Sequence, residues 1–254
     1  LDNNGAGTWT LMGTNPYTGA TNVNVGVLNV QNPQGTGTTA GGVVVANGAA
    51  LQLQGGIAVG AEALTLNGTG ISNDGALRSV SGNNSWAGAI TDTTNAVRIN
   101  SDLNTLTLTG GIDNGGLLLT VVGAGNTTVS TAAISNTGGL TKDGTGTLTL
   151  SAANTYTGKT TVSAGTLSFN SIGAVSGGAS ALGAPTTVPN GTIDLGPGTL
   201  AYTGSGHSSD RVINLTGAGT VDASGGGALT LSGGVTGTQN LTLTGTGAGT
   251  ESGV

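Results

Sequence analysis

Short runs in which apolar and polar residues alternate recur along the whole chain. Leu64 to Leu66, Leu106 to Leu108 and Leu148 to Leu150 all read Leu-Thr-Leu. Because side chains alternate between the two faces of a strand, this period of two predicts strands with one buried face and one wet face. Gly, Asn-Gly, Asp-Gly and Gly-Gly separate the runs and are typical of turns. No stretch keeps a 3.6-residue apolar period over three turns, so the pattern predicts an all-β fold of many short strands.

Composition decides how those strands pack. Gly supplies 51 of the 254 residues and aromatic residues only 2%. A β-sandwich or barrel needs bulky side chains to fill a gap of about 10 Å between its sheets. A solenoid has a narrow core that Val, Leu, Ile and Ala fill, so a single elongated parallel β-solenoid fits better. Coils of about 20 residues stacked about 4.8 Å apart predict roughly a dozen coils in a rod of about 60 Å.

The chain contains a long internal repeat. Residues 7–28 align with residues 146–167 at an offset of 139, which pairs Tyr17 with Tyr156. Looser matches continue downstream, where residues 64–68 correspond to residues 213–217. We therefore predict two solenoid units, 1–139 and 140–254, within one continuous solenoid. Both units look cut in mid-repeat and no signal peptide is visible, so we expect a segment of a longer protein.

The segment from Gly139 to Leu167 closely resembles the autotransporter-associated β-strand repeat, whose pattern is approximately GLxKxGxGTLTLxGxNTYTGxTTVxxGTL. Residues 5–28 resemble a second, weaker copy that departs from the pattern at Trp9 and Pro16. The resemblance implies a right-handed parallel β-helix in the secreted passenger of a bacterial surface protein, anchored to the outer membrane through other parts of the chain. Passengers of this group often mediate adhesion or aggregation. The repeat carries no catalytic residues that can be transferred to this chain.

Charge and cysteine content exclude several kinds of partner. The net charge is −6 and the five Lys and Arg residues form no cluster, so we expect no nucleic-acid binding and no electrostatic attraction to anionic lipid. No apolar run approaches the length of a membrane-spanning helix, so we expect no membrane insertion of this segment. The absence of cysteine excludes disulfides and thiolate metal sites, and we expect no metal and no cofactor.

Catalytic patterns are weak. His207 is the only histidine and lies beside Ser208, Ser209 and Asp210, but sequence neighbours rarely form a catalytic triad and no nucleophile elbow is present. Every acidic residue lies far from the next along the chain. Stacking of coils could still bring some of them together, for example Asp92 and Asp113. No Gly-Lys-Ser/Thr follows the glycine-rich stretches, which are better interpreted as turns than as phosphate loops. We expect no enzyme activity.

Aromatic and threonine residues provide the remaining candidate contacts. Tyr17 and Tyr156 occupy equivalent positions, and we expect each to pack over a corner of its coil rather than to stack on a sugar. Trp86 lies outside the recognised motif and is the better candidate for an aromatic that contacts a ligand. Thr-x-Thr pairs occur in some ice-binding solenoids, but strand propensity already explains threonine on the wet face.

Three functional hypotheses follow. The leading one is a non-enzymatic extracellular structural and adhesin scaffold whose partner is a host surface, a neighbouring cell or a glycan. The alternative is a self-assembling filament or sheath subunit that pairs through its end coils or lateral faces. A carbohydrate-active β-helix is a third hypothesis, which acids converging on one face of the fold would favour.

Overall fold

Parallel strands coil into a β-solenoid of about 11 turns in a computed structural model that describes residues 1–253. Each coil adds one strand to the eleven-stranded sheet and one strand to one or two of the other sheets. All strand pairs in the four sheets are parallel. The coils differ in length: Thr8 pairs with Val27 across a short coil, and Thr160 pairs with Ile193 across a long one. This confirms the predicted all-β solenoid, while its right-handed sense and the division at residue 139 stay predictions. Eleven strands in the longest sheet give a rod of about 50 Å.

The strands form three long sheets and one short one. The first sheet has seven strands: Asp2–Asn3, Thr21–Val23, Val43–Val45, Leu64–Leu66, Ile90–Asp92, Ile112–Asp113 and Ile134–Ser135. The second has eleven: Thr8–Leu11, Val27–Val30, Ala50–Gln54, Leu77–Ser81, Val97–Ser101, Leu119–Val122, Leu140–Lys142, Thr160–Val162, Ile193–Leu195, Ile213–Leu215 and Val235–Gly237.

The third sheet has nine strands: Ala58–Val59, Asn84–Trp86, Thr105–Leu108, Asn126–Val129, Thr147–Leu150, Gly165–Phe169, Gly198–Tyr202, Gly219–Ala223 and Leu241–Thr244. The fourth has three: Ser205–Ser209, Gly227–Leu231 and Gly249–Glu251. Two short helices complete the described residues, a 3-10 turn at Ile71–Asn73 and one α-helical turn at Val188–Gly191.

The core is built from the inward residues of the alternating runs. Leu148 and Leu150 are fully buried. The alternating residues Thr147 and Thr149 are half-exposed. Leu148 stacks between Thr127 and Leu167 of the adjacent coils. Burial of a leucine contributes roughly 1.5–3 kcal/mol, so these columns of aliphatic side chains hold successive coils together.

Two equivalent glycines show how closely the coils approach. Gly26 and Gly165 have φ of 69° and 66°, a region that favours glycine. A Cβ on Gly26 would lie 2.2 Å from the Gly5 carbonyl oxygen, and one on Gly165 would lie 2.2 Å from that of Gly144. Both positions therefore need glycine for conformation and for space.

The internal repeat does not return to the same side of the solenoid. In the first copy of the motif the strands Thr21–Val23 and Val27–Val30 lie in the first and second sheets. In the second copy the equivalent strands Thr160–Val162 and Gly165–Phe169 lie in the second and third sheets. The two motif copies are thus displaced from each other by one sheet around the coil.

Candidate functional site

A tyrosine marks the same corner in each motif copy. The Tyr17 hydroxyl lies 2.7 Å from the Thr21 hydroxyl, and the Tyr156 hydroxyl lies 2.8 Å from that of Thr160. Tyr156 is fully buried and Tyr17 is half-buried. The structure thus places both tyrosines against a coil corner, as expected from the sequence.

A loop folds over each tyrosine through the same backbone contacts. The Asn15 side-chain amide donates to the Gly35 carbonyl at 2.6 Å, and the Asn154 amide donates to the Ala181 carbonyl at 2.7 Å. The amide N–H groups of Thr38 and Ala184 donate to the carbonyls of Tyr17 and Tyr156, both at 2.9 Å. These contacts define the first corner loop, residues 31–42, and the second corner loop, residues 170–187.

Each corner loop has a glycine over the tyrosine ring. A Cβ on Gly37 would lie 2.6 Å from Tyr17 Cε2, and one on Gly183 would lie 2.8 Å from Tyr156 Cε2. The second loop is longer, because more chain separates Gly183 from its tyrosine than separates Gly37 from its own. The residue before each glycine is buried, a leucine at position 182 and a threonine at position 36.

Opposite charges occupy one equivalent position beneath the two corner loops. Glu62 precedes Leu64 by two residues and Arg211 precedes Ile213 by two, in the two strands that the repeat aligns. Both side chains are buried, at 2% and 0% exposure. Arg211 Nε donates to the Gly191 carbonyl, and its Nη1 donates to the carbonyl at position 182, both at 2.6 Å.

The Glu62 side chain has one hydrogen-bond partner, whereas the Arg211 side chain has two and leaves only its Nη2 without a partner. Glu62 Oε2 accepts a hydrogen bond from the Thr36 hydroxyl at 2.5 Å, but Oε1 has no hydrogen-bond partner. Burial raises the pKa of Glu62, because the charged carboxylate loses hydration, and the bond from Thr36 offsets only part of this effect. The charge of Glu62 in turn adds to the burial that raises the pKa of Tyr17.

A cleft of about 500 Å³ opens between the first corner loop and the coil that carries Glu62. Pro16, Pro33 and Ala58 contribute apolar wall, and Glu62 lies among the lining residues. Thr38 also lines the cleft, and its hydroxyl is buried without a partner. The cleft therefore combines a buried acid, an unused hydroxyl and apolar sides. We name it the Glu62 cleft.

Trp86 does not provide the ligand contact expected from the sequence. It is fully buried in the strand Asn84–Trp86, and its indole Nε1 donates to the Glu62 carbonyl oxygen at 2.8 Å. A ring with no exposed face has nothing to stack against a ligand, so that expectation is wrong. Asn84 of the same strand also points inward, and its side-chain oxygen accepts hydrogen bonds from the N–H groups of Gly56 and Ile57.

The acidic residues are held in separate arrangements. Asp92 is buried, with neither carboxylate oxygen hydrogen-bonded, whereas Asp113 of the next coil is exposed and accepts from Asn136. Burial, with a smaller contribution from the charge of Asp113, raises the pKa of Asp92 to about 7. Elsewhere, Arg78 forms ion pairs with two acids, at positions 74 and 102, at 3.0 and 2.8 Å and offsets part of their negative charge.

His207 has a structural partner. Its Nδ1 lies 2.7 Å from the Tyr202 hydroxyl, which also accepts a hydrogen bond from the Gly206 N–H. No three His, Cys, Asp or Glu residues within 1–253 lie close enough together to hold a metal ion. In the same range, no helix has the length and apolarity needed to cross a membrane.

Sequence reasoning missed the Glu62 cleft. The signal was present in the aligned pairs Leu64 with Ile213 and Tyr17 with Tyr156, since extending the first pair by two residues juxtaposes Glu62 and Arg211. A charge of opposite sign at an equivalent position of two repeats, two residues before a core strand, indicates different surroundings. Only the structure shows that both positions are buried.

Comparison with known proteins agrees with the two motif copies. A family model described as passenger-associated-transport-repeat matches residues 3–30 and 140–169, and confirms the resemblance seen in the sequence. The adhesin BmaC autotransporter of Brucella suis biovar 1 (strain 1330) is 33% identical over 256 aligned residues, which cover 97% of this chain. The chain spans 6% of the length of that relative. No solved structure gives a significant match.

Proposed function

Because this chain carries two passenger-associated-transport repeats, we propose that it is part of an extracellular bacterial passenger, where it serves as a structural and adhesive scaffold and not as an enzyme. The observation that carries the proposal is the alignment of nearly the whole chain with a protein named as an autotransporter adhesin. Since the chain covers a small share of that protein, adhesion by this particular segment is the part that needs testing.

The hydrogen bonds and ion pairs of the polar side chains support a structural role for the chain. The charged side chains with identified partners bond within the solenoid, as Lys159 does with Asp194 at 2.9 Å and Lys142 with three backbone carbonyls. The histidine bonds to a tyrosine, and Asp92 and Asp113 lie on opposite faces of their strands. Catalysis needs a nucleophile, base or acid within reach of one reacting centre, and these residues do not converge in that way.

The proposed surface location also agrees with the fold. Coils that pair mainly with their neighbours in sequence form by successive addition, which suits a chain that folds after it has crossed a membrane. Zero cysteine removes disulfides that would obstruct such passage.

Adhesion is tested with fluorescent beads that carry the purified chain. Beads are incubated with cultured epithelial cells, washed under flow and counted, with albumin-coated beads as the baseline. We expect retention several-fold above that baseline, and its loss with the core variant Leu148→Asp because the binding surface needs an intact coil. Retention equal to that of albumin beads refutes adhesion to these cells.

Self-assembly is a second candidate, favoured by apolar side chains at the two ends of the described coils. Trp9 and Leu243 are each 65% exposed, and a cleft lined by Leu229, Leu231 and Leu241 opens at the second end. Neighbouring coils of a longer chain would cover the same surfaces. Electron microscopy over a concentration series separates the two: continuous fibres support end-to-end assembly, whereas isolated rods of about 50 Å contradict it.

A further inference from the structure

The Glu62 cleft contains a buried acid without a counter-ion. The three ion pairs found within residues 1–253 join Arg78 to two aspartates and Lys159 to one. Arg211 and Lys142 are committed to backbone carbonyls. A buried carboxylate is costly unless it is paired or fully hydrogen-bonded, and Glu62 has one oxygen that is neither.

The second motif copy shows the same corner in a closed form. There the longer corner loop buries Tyr156 completely, and the charged residue is Arg211, which bonds to the loop carbonyl at position 182 and to the Gly191 carbonyl just after the loop. In the first copy the shorter loop leaves Tyr17 and Thr38 half-exposed over an acid. The two corners therefore differ in two ways. The corner where the cleft opens has the shorter loop, and its buried charge is negative instead of positive.

The chemistry of the cleft selects one class of ligand. Prolines at positions 16 and 33 and Ala58 form apolar sides, while Glu62 and the Thr38 hydroxyl supply unpartnered acceptor atoms. A flexible aliphatic stem that ends in a compact cation matches this order of apolar sides and buried acid. A volume of about 500 Å³ lies within the range of about 300–1,000 Å³ that is usual for ligand sites.

We propose that the Glu62 cleft binds a primary ammonium group on an aliphatic stem, as carried by a lysine side chain of a partner protein. The ammonium group donates to Glu62 Oε1 and supplies the missing counter-ion. Because Oε1 is enclosed, contact requires a small rotation of the Glu62 or Thr38 side chain, whose free atoms bond to no other group. The Thr36 hydroxyl remains on Oε2 and keeps the carboxylate in place.

The test uses two probes that differ in one group. The full chain, labelled with ¹⁵N, is titrated with N-acetyl-lysine methylamide and separately with N-acetyl-norleucine methylamide, which lacks the ammonium group. We expect saturable amide shifts at Gly37, Thr38 and Gly60 with the lysine probe and none with the norleucine probe. Equal shifts with both probes, or no shift with either, overturn the proposal.

Two variants locate the charge that binds. Glu62→Gln keeps the shape of the side chain and an acceptor for Thr36, and we expect it to weaken binding of the lysine probe about tenfold to a hundredfold. Glu251→Gln, a matched change at an exposed glutamate, leaves binding unchanged. Unaltered binding by Glu62→Gln overturns the proposal. If Glu62→Gln misfolds, Thr38→Ala, which introduces the residue found at position 184, gives a smaller loss at the same site.

This inference goes beyond the proposed function and is independent of it. Beads that carry Glu62→Gln distinguish the two, because adhesion through another surface persists in that variant while binding of the lysine probe is weakened. Failure of adhesion together with intact binding of the lysine probe leaves the cleft in place and removes only the adhesive role.

Discussion

Asp92 makes the stability of its coil depend on pH, in a direction opposite to that of most carboxylates. Its side chain is 2% exposed, both oxygens lack a partner, and its neighbour on the preceding coil is Leu66. Asn114 lies on the next coil, and its buried side-chain Nδ2 also has no partner. These surroundings favour the neutral acid in the folded state, and the pKa of Asp92 is about 7.

The size of the effect follows from the two pKa values. An unfolded aspartate has a pKa of about 3.9, so the folded chain binds the proton more tightly by about three pH units, which corresponds to about 4 kcal/mol. This stability is fully present below about pH 4 and is lost as the pH rises to about 7. Asp92→Asn has no proton to lose, so we expect it to match the native chain near pH 4 and to exceed it by up to about 4 kcal/mol near pH 8.

Hydrogen exchange of the amides in Ile90–Asp92 is the appropriate assay, since solenoids open locally as well as globally. Protection is compared between the native chain and Asp92→Asn at several pH values, after correction for intrinsic exchange rates. The difference between the two chains isolates Asp92 from all other titrating groups. Equal protection at every pH, or lower protection of Asp92→Asn near pH 8, would falsify the reasoning.

Three further variants test the core, the turns and the buried lysine. Leu148→Asp places an unpaired charge in the core and is expected to cost several kcal/mol, whereas Thr149→Asp on the wet face costs less than about 1 kcal/mol; equal melting temperatures contradict the register. Gly165→Ala is expected to lower the melting temperature strongly because its Cβ meets backbone, while Gly226→Ala in open space has little effect, and similar losses in both would contradict the close approach of the coils. Lys142→Met removes the donor to three carbonyls and is expected to cost about 2–3 kcal/mol in denaturant unfolding, and an unchanged midpoint would contradict that role.

The alternating runs were enough to predict the strands and the core. The Leu148 and Leu150 side chains point inward and their threonine neighbours outward because a period of two leaves no other arrangement with one face buried. The low aromatic content excluded a thick core, and the motif around Tyr156 fixed the architecture. Local sequence and global fold agree at these positions.

The alternating pattern did not predict the buried polar residues. Asn84 and Trp86 alternate correctly, but a polar residue at an inward position resembles a loop until its partners, such as the Ser79 hydroxyl at 2.9 Å, are known. Glu62 and Asp92 are buried for the same reason, since each continues the inward face of a strand region. Sequence reveals which face a residue occupies, but whether a buried polar group is satisfied depends on adjacent coils that are distant along the chain.

The displacement of the two motif copies by one sheet has a geometric consequence. From Thr8–Leu11 to Leu140–Lys142 the chain completes six coils, and the motif then resumes on the next sheet, one third of the way around a three-stranded coil. Corner loops of successive units accordingly project from different sides of the solenoid. A third unit on the same period would place its loop on the remaining side. A fibre built on this period would carry its corner loops on all sides of the solenoid. No single face of it would hold all the loops for contact with a surface.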